Sequence, residues 1–136
     1  MTLSAMYQDR LLDEYRAPQG RRELVDATGS AERKNPVCGD VVHVMVRLAE
    51  GRVADVAFEG QGCSITVASA SLMTQVVSGL ELSKARSLIT LLEAMLVGSL
   101  VASLPVLLEP LRGTVSFPAR HGCVMLPWLA LRDALG

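Results

Sequence analysis

The residues of this chain best suited to chemistry are its three cysteines and one nearby aspartate. Cys38 and Asp40 flank a glycine in one short motif, while Cys63 and Cys123 each follow a glycine in two others. Three thiolates and one carboxylate form a complete tetrahedral ligand set for Zn²⁺. The chain has no C-x-x-C pair, so spacing alone leaves two interpretations open: a zinc site, or cysteines that act as small buried hydrophobic residues.

The predicted backbone around these residues favours the thiolate form. Residues i and i+2 of an extended segment point the same way, so Cys38 and Asp40 could reach one metal ion from a single loop. Cys63 and Cys123 both precede helical patterns, and a helix N-terminus stabilises a thiolate. Arg120 would act as an auxiliary group in the same direction. Because a carboxylate holds zinc less firmly than a thiolate, such a site would allow ligand exchange.

The histidines and serines are weaker candidates. His43 lies on the strand face opposite a row of valines, which favours an ordinary strand histidine. His121 could approach the cysteine site or remain a solvated loop residue. The serines at 64, 69 and 71 lack an adjacent base and orienting group, so nothing in the sequence marks a nucleophilic serine.

Composition predicts one globular domain spanning residues 1–136. Half of the residues are apolar and a fifth are charged, which is not a disordered composition. The net charge of −1 and the lack of a basic block argue against nucleic acid as a partner. The charged N-terminal stretch does not match a secretory signal, and an odd number of cysteines argues against disulfides, so we expect a cytoplasmic protein.

The most apolar region does not match a membrane span. It runs over residues 88–111 but is broken by Glu93, Gly98, Pro105 and Glu109. A membrane helix needs about 20 uninterrupted apolar residues. Buried helices are the better interpretation, and no membrane partner is expected.

Hydrophobic periodicity predicts a small α+β protein. The expected elements are a helix over 3–16, a polar connector over 17–34, and a hairpin of strands over 41–48 and 53–59. The inward face of the first strand should carry Val42, Val44, Val46 and Leu48, and its outward face His43, Met45 and Arg47. The apolar face of the first helix should carry Leu3, Met6, Tyr7, Leu11 and Tyr15.

Mostly helices follow the hairpin. One should begin at Cys63-Ser64 and end before Gly79, a second should run from about Lys84 to Val97 with Ser83 as its cap, and a shorter one should precede Pro110. An edge strand or loop is expected from Thr114 to Pro118, and a final helix from Cys123. This order predicts a small antiparallel β-sheet packed against several α-helices.

Three motifs carry a resemblance to a known family. They are Asn-Pro-Val-Cys-Gly-Asp at 35–40, Phe-Glu-Gly-Gln-Gly-Cys-Ser-Ile-Thr-Val-Ala-Ser-Ala-Ser at 58–71, and Pro-Ala-Arg-His-Gly-Cys-Val-Met-Leu-Pro-Trp at 118–128. They resemble the iron–sulfur cluster assembly scaffold family of the IscU and NifU N-terminal type. The fifty-nine residues between Cys63 and Cys123 are similar to the longer SufU spacing. Arg120 stands where SufU-type sequences carry an arginine, whereas Gly122 replaces a common lysine or histidine.

The resemblance implies an IscU-like fold and a sulfurtransferase-like role. Zinc would be bound by the residues matching Cys38, Asp40, Cys63 and Cys123. Cys38 would accept persulfide sulfur from a SufS-type cysteine desulfurase and pass it to downstream cluster assembly proteins. The alternative is a scaffold on which a [2Fe–2S] cluster is assembled, with iron or the cluster at the same site. A zinc-stabilised adaptor without sulfur chemistry is a third class.

Overall fold

The computed structural model describes residues 3–99 and 103–136, with side chains described from residue 8 onward. Its elements, in chain order, are α1 (Leu3–Arg16), β1 (Gly29–Lys34), β2 (Val41–Ala49), β3 (Arg52–Gln61), α2 (Ser64–Val77), α3 (Leu82–Leu96), a first 3₁₀ helix (Val106–Ser116), a second 3₁₀ helix (Pro118–Arg120) and α4 (His121–Leu135). The three strands form an antiparallel sheet in the order β1-β2-β3. The predicted α+β fold with a small antiparallel sheet is therefore confirmed.

The β2–β3 hairpin follows from its alternating valines and its turn. Val42, Val44 and Val46 are buried on one face, as predicted. Glu50 and Gly51 both adopt positive φ angles, 54° and 74°, as the central residues of the tight turns that match the twist of a hairpin do. The valine face packs against α4, which contacts both β1 and β2. This places the core between the sheet and the helices.

The opposite face of the sheet is not open to solvent as predicted. Met45 is buried with Leu24 and Ala57 in a small second cluster. The segment before β1 crosses this face: the amide of Leu24 lies 3.4 Å from the Met45 sulfur, and the Phe58 amide donates to the Gly20 carbonyl at 2.9 Å. The chain therefore covers both faces near the middle of the sheet, which a period-two pattern cannot reveal.

The predicted connector over 17–34 contains a strand, so that prediction is wrong for its last six residues. β1 pairs with β2 from Gly29 opposite Val46 to Lys34 opposite Val41. Its sequence is polar because alternate side chains are exposed at the sheet edge, which masks the usual strand signal. Arg33 extends from it to Asp133 on α4, with a nitrogen–oxygen distance of 2.7 Å. The strand thus joins the sheet to the last helix.

The helices agree with the predictions in position but differ at several ends. Glu81, and not Ser83, is the N-cap of α3. α4 begins at His121, so Cys123 lies inside its first turn and does not begin it. Thr114 belongs to the first 3₁₀ helix, so no edge strand forms there. In α1 Leu11 is buried, whereas Tyr15 is 43% exposed and lies off the apolar face. The side chains of residues 3, 6 and 7 lie outside the described part.

A buried carboxylate joins α1 to α2. Glu14 is 7% exposed; one of its oxygens accepts hydrogen bonds from Ser71 at 2.8 Å and Gln75 at 2.6 Å. Its other oxygen pairs with Arg10 at 3.0 Å. A buried charge is tolerated when its oxygens are satisfied in this way. In the described part of the chain, no helix is long and apolar enough to cross a membrane.

We expect Gly29→Ala to destabilise the fold, because β1 approaches α4 closely at this residue. A Cβ atom at position 29 would lie 2.3 Å from the carbonyl oxygen of Ala134. Overpacking against backbone costs about 1–3 kcal/mol, and urea unfolding would measure the loss. Gly113→Ala is the matched control, since a Cβ there meets nothing within 4 Å and should change stability by less than about 0.5 kcal/mol. Equal stability of the two variants would contradict the close packing of β1 on α4.

Candidate metal centre

Three segments that are distant in sequence meet at one end of the sheet. They are the loop of residues 35–40 between β1 and β2, the start of α2 and the first turn of α4. The Cys38 sulfur, an Asp40 carboxylate oxygen and the Cys123 sulfur lie within 4.8 Å of one another. The structure therefore brings together three of the four predicted ligands directly, and the fourth, Cys63, lies beside them.

The loop of residues 35–40 is closed by its own hydrogen bonds. The Asn35 amide donates to the Asp40 carbonyl at 2.8 Å, and the Gly39 amide donates to the Asn35 carbonyl at 2.8 Å. The Asn35 side chain also accepts from the Val37 amide at 3.1 Å. Gly39 adopts a φ of 76°, a positive bend that glycine accommodates without strain. As a result Cys38 is exposed, while Asp40 turns inward.

Asp40 is a buried carboxylate held in place by α2. It is 7% exposed, and its Oδ2 accepts a hydrogen bond from the Thr66 hydroxyl at 2.5 Å and another from the Cys63 amide at 3.3 Å. Burial alone would raise the pKa of the carboxyl, but the hydrogen bonds from Thr66 and Cys63 outweigh it and hold the pKa of Asp40 below its usual range. The group is thus present as an oriented anion.

Cys63 is the N-cap of α2 and is half-buried. Burial raises the pKa of its thiol, but the Thr66 hydroxyl, 3.5 Å from the sulfur, and the amides of the first helical turn more than offset this. The pKa of Cys63 is therefore lowered. The prediction that a helix start favours this thiolate is confirmed.

Cys123 behaves in the opposite way. It is 2% exposed, and burial, followed by the neighbouring Cys63 and Cys38 sulfurs, raises its pKa to about 11. The prediction that its helix start would favour a thiolate is wrong for the protein without a cation. A second negative charge in a dry site next to the first is unfavourable. A divalent cation at this position would remove that penalty.

Thr66 is a site residue that the sequence analysis missed. Its hydroxyl is buried and contacts both the Asp40 carboxylate and the Cys63 sulfur. The signal was present in the spacing, since residues three apart lie on the same face of a helix. Threonine at this position reads as an ordinary core residue, which explains why it was overlooked.

The remaining predicted residues lie around the site without contacting the sulfurs. Arg120 is exposed on the second 3₁₀ helix and lines a groove of about 390 Å³ together with Ile65 and Phe117. Its auxiliary role stays a prediction. The His121 ring contacts the Val115 carbonyl oxygen at 3.0 Å. His43 lies in β2 between Glu32 and Glu59 on the neighbouring strands, in agreement with an ordinary strand position.

Gly122 leaves room for the loop that carries Cys38. A Cβ atom at position 122 would lie 3.0 Å from the side-chain nitrogen of Asn35. A larger residue directly before Cys123 would therefore require Asn35 to move. Since Asn35 closes the loop of residues 35–40, the size of the side chain at position 122 affects where this loop holds Cys38.

The donor set fits zinc. Zinc–sulfur bonds are about 2.3 Å long and zinc–carboxylate bonds about 2.0–2.2 Å, so donors on one ion lie roughly 3.5–4 Å apart. The 4.8 Å limit for Cys38, Asp40 and Cys123 requires only a small inward movement of the side chains. Cys63 can complete the set, because its sulfur is close enough to Cys123 to alter the pKa of that thiol. Soft thiolates with one carboxylate suit zinc or iron more than magnesium or calcium.

Comparisons with known proteins agree with this architecture. Residues 6–103 match the model of the NifU-like N-terminal domain. The chain is 36% identical to the zinc-dependent sulfurtransferase SufU of Bacillus subtilis strain 168, covering 98% of this chain and 91% of that protein. It is 33% identical to the iron–sulfur cluster assembly scaffold protein IscU of Streptococcus pyogenes serotype M1, covering 98% of this chain and 84% of that protein.

A solved structure has the same fold. The crystal structure of a protein from Fervidobacterium islandicum AW-1, described as a cluster assembly scaffold for the SUF system, superposes with a TM-score of 0.89 at 26% identity, covering 99% of this chain and all of that one. The family model covers most of the sequence, and the relatives align over nearly all of it. On these grounds the chain belongs to the family of NifU-like N-terminal domains.

Proposed function

We propose that this chain serves iron–sulfur cluster assembly as a zinc-dependent acceptor of persulfide sulfur, with zinc held by Cys38, Asp40, Cys63 and Cys123. One observation carries the proposal. Of the three cysteines, Cys38 is exposed, yet its sulfur lies within 4.8 Å of Asp40 and the buried Cys123. A sulfur that belongs to a metal site and also faces solvent can meet a large partner. The relative named a zinc-dependent sulfurtransferase supports this reading.

Bound zinc would supply positive charge that keeps the thiols deprotonated, because metal ligation requires the thiolate form. The residues of the chain supply the rest. Asp40 is already oriented by Thr66, and Cys63 already has a lowered pKa. Cys123 gains most from the ion, since burial and the neighbouring sulfurs raise its pKa to about 11.

The proposed reaction moves one sulfur atom without net oxidation. The Cys38 thiolate attacks the outer sulfur of a persulfide on a cysteine desulfurase of the SufS type. The bond between the two sulfurs of the partner breaks, and the partner's cysteine leaves as a thiolate. A new sulfur–sulfur bond forms on Cys38, which now carries the persulfide for downstream assembly proteins. This is a thiol–disulfide exchange in which one sulfur–sulfur bond replaces another.

The position of Cys38 suits that step better than the other two cysteines. It lies on a loop bent at Gly39, where a Cβ atom would meet nothing within 4 Å, so the loop has free space on that side. Cys123 is inside α4 and buried, and Cys63 is half-buried. A protein-bound persulfide therefore reaches Cys38 first. Three free thiols also favour a reducing compartment such as the cytoplasm.

The alternative is a scaffold that holds a [2Fe–2S] cluster at the same residues. It is supported by two relatives named as scaffold proteins, which align over 98% and 99% of this chain. Cysteine thiolates bind iron–sulfur clusters as readily as zinc. The donor set is therefore common to both functions, and what separates them is whether sulfur alone or a complete cluster leaves the protein.

We expect protein purified without added iron to contain about one zinc ion per chain. Elemental analysis would measure this, and less than about one-tenth of an equivalent in folded protein would contradict the zinc site. Cys63→Ser should lower both the zinc content and the free energy of unfolding, because metal-binding energy is partly folding energy. Ser83→Ala, an exposed change on α3, is the control and should keep both.

We expect sulfur to be found on Cys38. Incubation with a SufS-type desulfurase and free cysteine should add the mass of one sulfur atom to the intact chain, and peptide mapping should place it on Cys38. Cys38→Ser should remain folded and show no adduct. An adduct forming on that variant at the wild-type rate would move the acceptor to Cys63 or Cys123. Anaerobic reconstitution of a stoichiometric cluster that passes intact to an apo-protein would instead favour the scaffold function.

We expect Thr66→Val to weaken zinc binding while preserving the fold. Valine keeps the shape of threonine but removes the hydroxyl that holds Asp40 at 2.5 Å. Loss of a group that orients a metal ligand typically costs about tenfold or more in affinity, and competition with a chromophoric chelator would measure it. Thr74→Val is the matched control, since its buried hydroxyl contacts Gln19 and Ser71 and not the site. Equal zinc affinities of the two variants would show that Thr66 does not act on the site.

A further inference from the structure

A buried serine connects the two helices that carry Cys63 and Cys123. The Ser69 hydroxyl on α2 donates to the Val124 carbonyl on α4 at 2.7 Å. The same oxygen accepts a hydrogen bond from the Trp128 indole nitrogen at 3.0 Å. All three residues are fully buried. Among the hydrogen bonds of the described residues, these two are the ones that link α2 to α4.

The turn that carries Cys123 has fewer backbone hydrogen bonds than a regular helix. α4 contains Pro127, and proline has no amide hydrogen to donate. In an α-helix that amide would bond to the carbonyl four residues earlier, which here belongs to Cys123. The first turn of α4 thus lacks one of its own hydrogen bonds. Ser69 donates to the next carbonyl along the chain, that of Val124.

We propose that Ser69, oriented by Trp128, is a positioning residue that fixes the first turn of α4, and with it Cys123, against α2 and Cys63. The inference rests on the proposed metal-dependent function. Val124 directly follows Cys123, so the hydrogen bond acts on the backbone of the ligand's own turn. The indole donor restricts the Ser69 oxygen to one orientation, in which its hydrogen points to Val124.

The chain offers a matched control in Ser71. It lies on the same helix, is equally buried, and its hydroxyl also makes a buried hydrogen bond, to Glu14 of α1 at 2.8 Å. Ser69→Ala and Ser71→Ala therefore each remove a buried, hydrogen-bonded hydroxyl from the same helix. Only the first removes a connection to α4, so a general loss of stability affects both variants and a positioning effect affects one.

The experiment compares alkylation rates in metal-free, reduced protein. Iodoacetamide is added to the wild type, Ser69→Ala and Ser71→Ala, each verified as folded by circular dichroism, and peptide mass spectrometry follows the three cysteines. We expect Ser69→Ala to accelerate alkylation of Cys123 by roughly tenfold relative to the exposed Cys38 of the same molecules, because unsatisfied buried groups make the turn open more often. Ser71→Ala should keep the wild-type ratio.

A second measurement uses the metal. Ser69→Ala should bind zinc roughly 10–100-fold more weakly than wild type, whereas Ser71→Ala should bind it as tightly as wild type. If wild-type protein binds no zinc, the proposed function fails, but the alkylation rates still decide the role of Ser69. A wild-type alkylation ratio in folded Ser69→Ala, or an equal acceleration in Ser71→Ala, would overturn the inference.

Trp128→Phe covers the case in which Ser69→Ala does not fold. This change keeps an aromatic side chain but removes the indole donor together with the five-membered ring that carries it, and Ser69 can still bond to Val124. We expect faster Cys123 alkylation and weaker zinc binding than in wild type, with smaller effects than those of Ser69→Ala. Wild-type values for both quantities in folded Trp128→Phe would count against the positioning pair.

Discussion

The packing of α4 between the sheet and α2 is the constraint on which the rest of this structure depends. Trp128 and Leu131 on α4 are completely buried, and the helix contacts β1, β2, α2 and α3. Once this helix is in place, its first turn must lie beside the start of α2 and the loop of residues 35–40. The candidate metal centre is therefore a consequence of core packing. Its donors lie on segments that the packing of α4 brings next to one another.

The electrostatics of the centre describe a site that is prepared for a cation. Asp40 and Cys63 are stabilised as anions by hydrogen bonds from α2. Cys123 is pushed toward its neutral form by burial and by the neighbouring sulfurs. Lowered and raised pKa values occur side by side when several acidic groups share a region of low dielectric constant, since each negative charge disfavours the next. A divalent cation would favour the charged form of all of them together.

The residues of the site differ in burial. Asp40 and Cys123 are buried; the Thr66 hydroxyl bonds to Asp40, and the Ser69 hydroxyl joins α2 to α4. Cys38 alone among the cysteines is exposed, on a loop with a glycine bend. In the proposed function, this arrangement would let Cys38 meet a partner while the remaining donors keep their geometry.

Sequence patterns were sufficient to predict the elements with strong periodicity and to identify the candidate donor residues. The alternating valines of β2, the bend at Gly39 and the start of α2 next to Cys63 are local features, because they depend on backbone preference and on a repeat of apolar residues. The family motifs identified the same cysteines and aspartate as candidates. These predictions needed no knowledge of which segments are neighbours in space.

Features that depend on contacts between distant segments of the chain became visible only in the folded structure. The sequence did not reveal β1 because its edge position leaves alternate polar residues exposed. Alternation predicted that Met45 faces solvent, but the distant segment that carries Leu24 covers it. The raised pKa of Cys123 comes from burial and from sulfurs distant in sequence. Thr66 and Ser69 are ordinary helix residues until the fold places Asp40 and Val124 within hydrogen-bond distance. A hydroxyl group acquires such a role only from its partner, and the partner is fixed by packing.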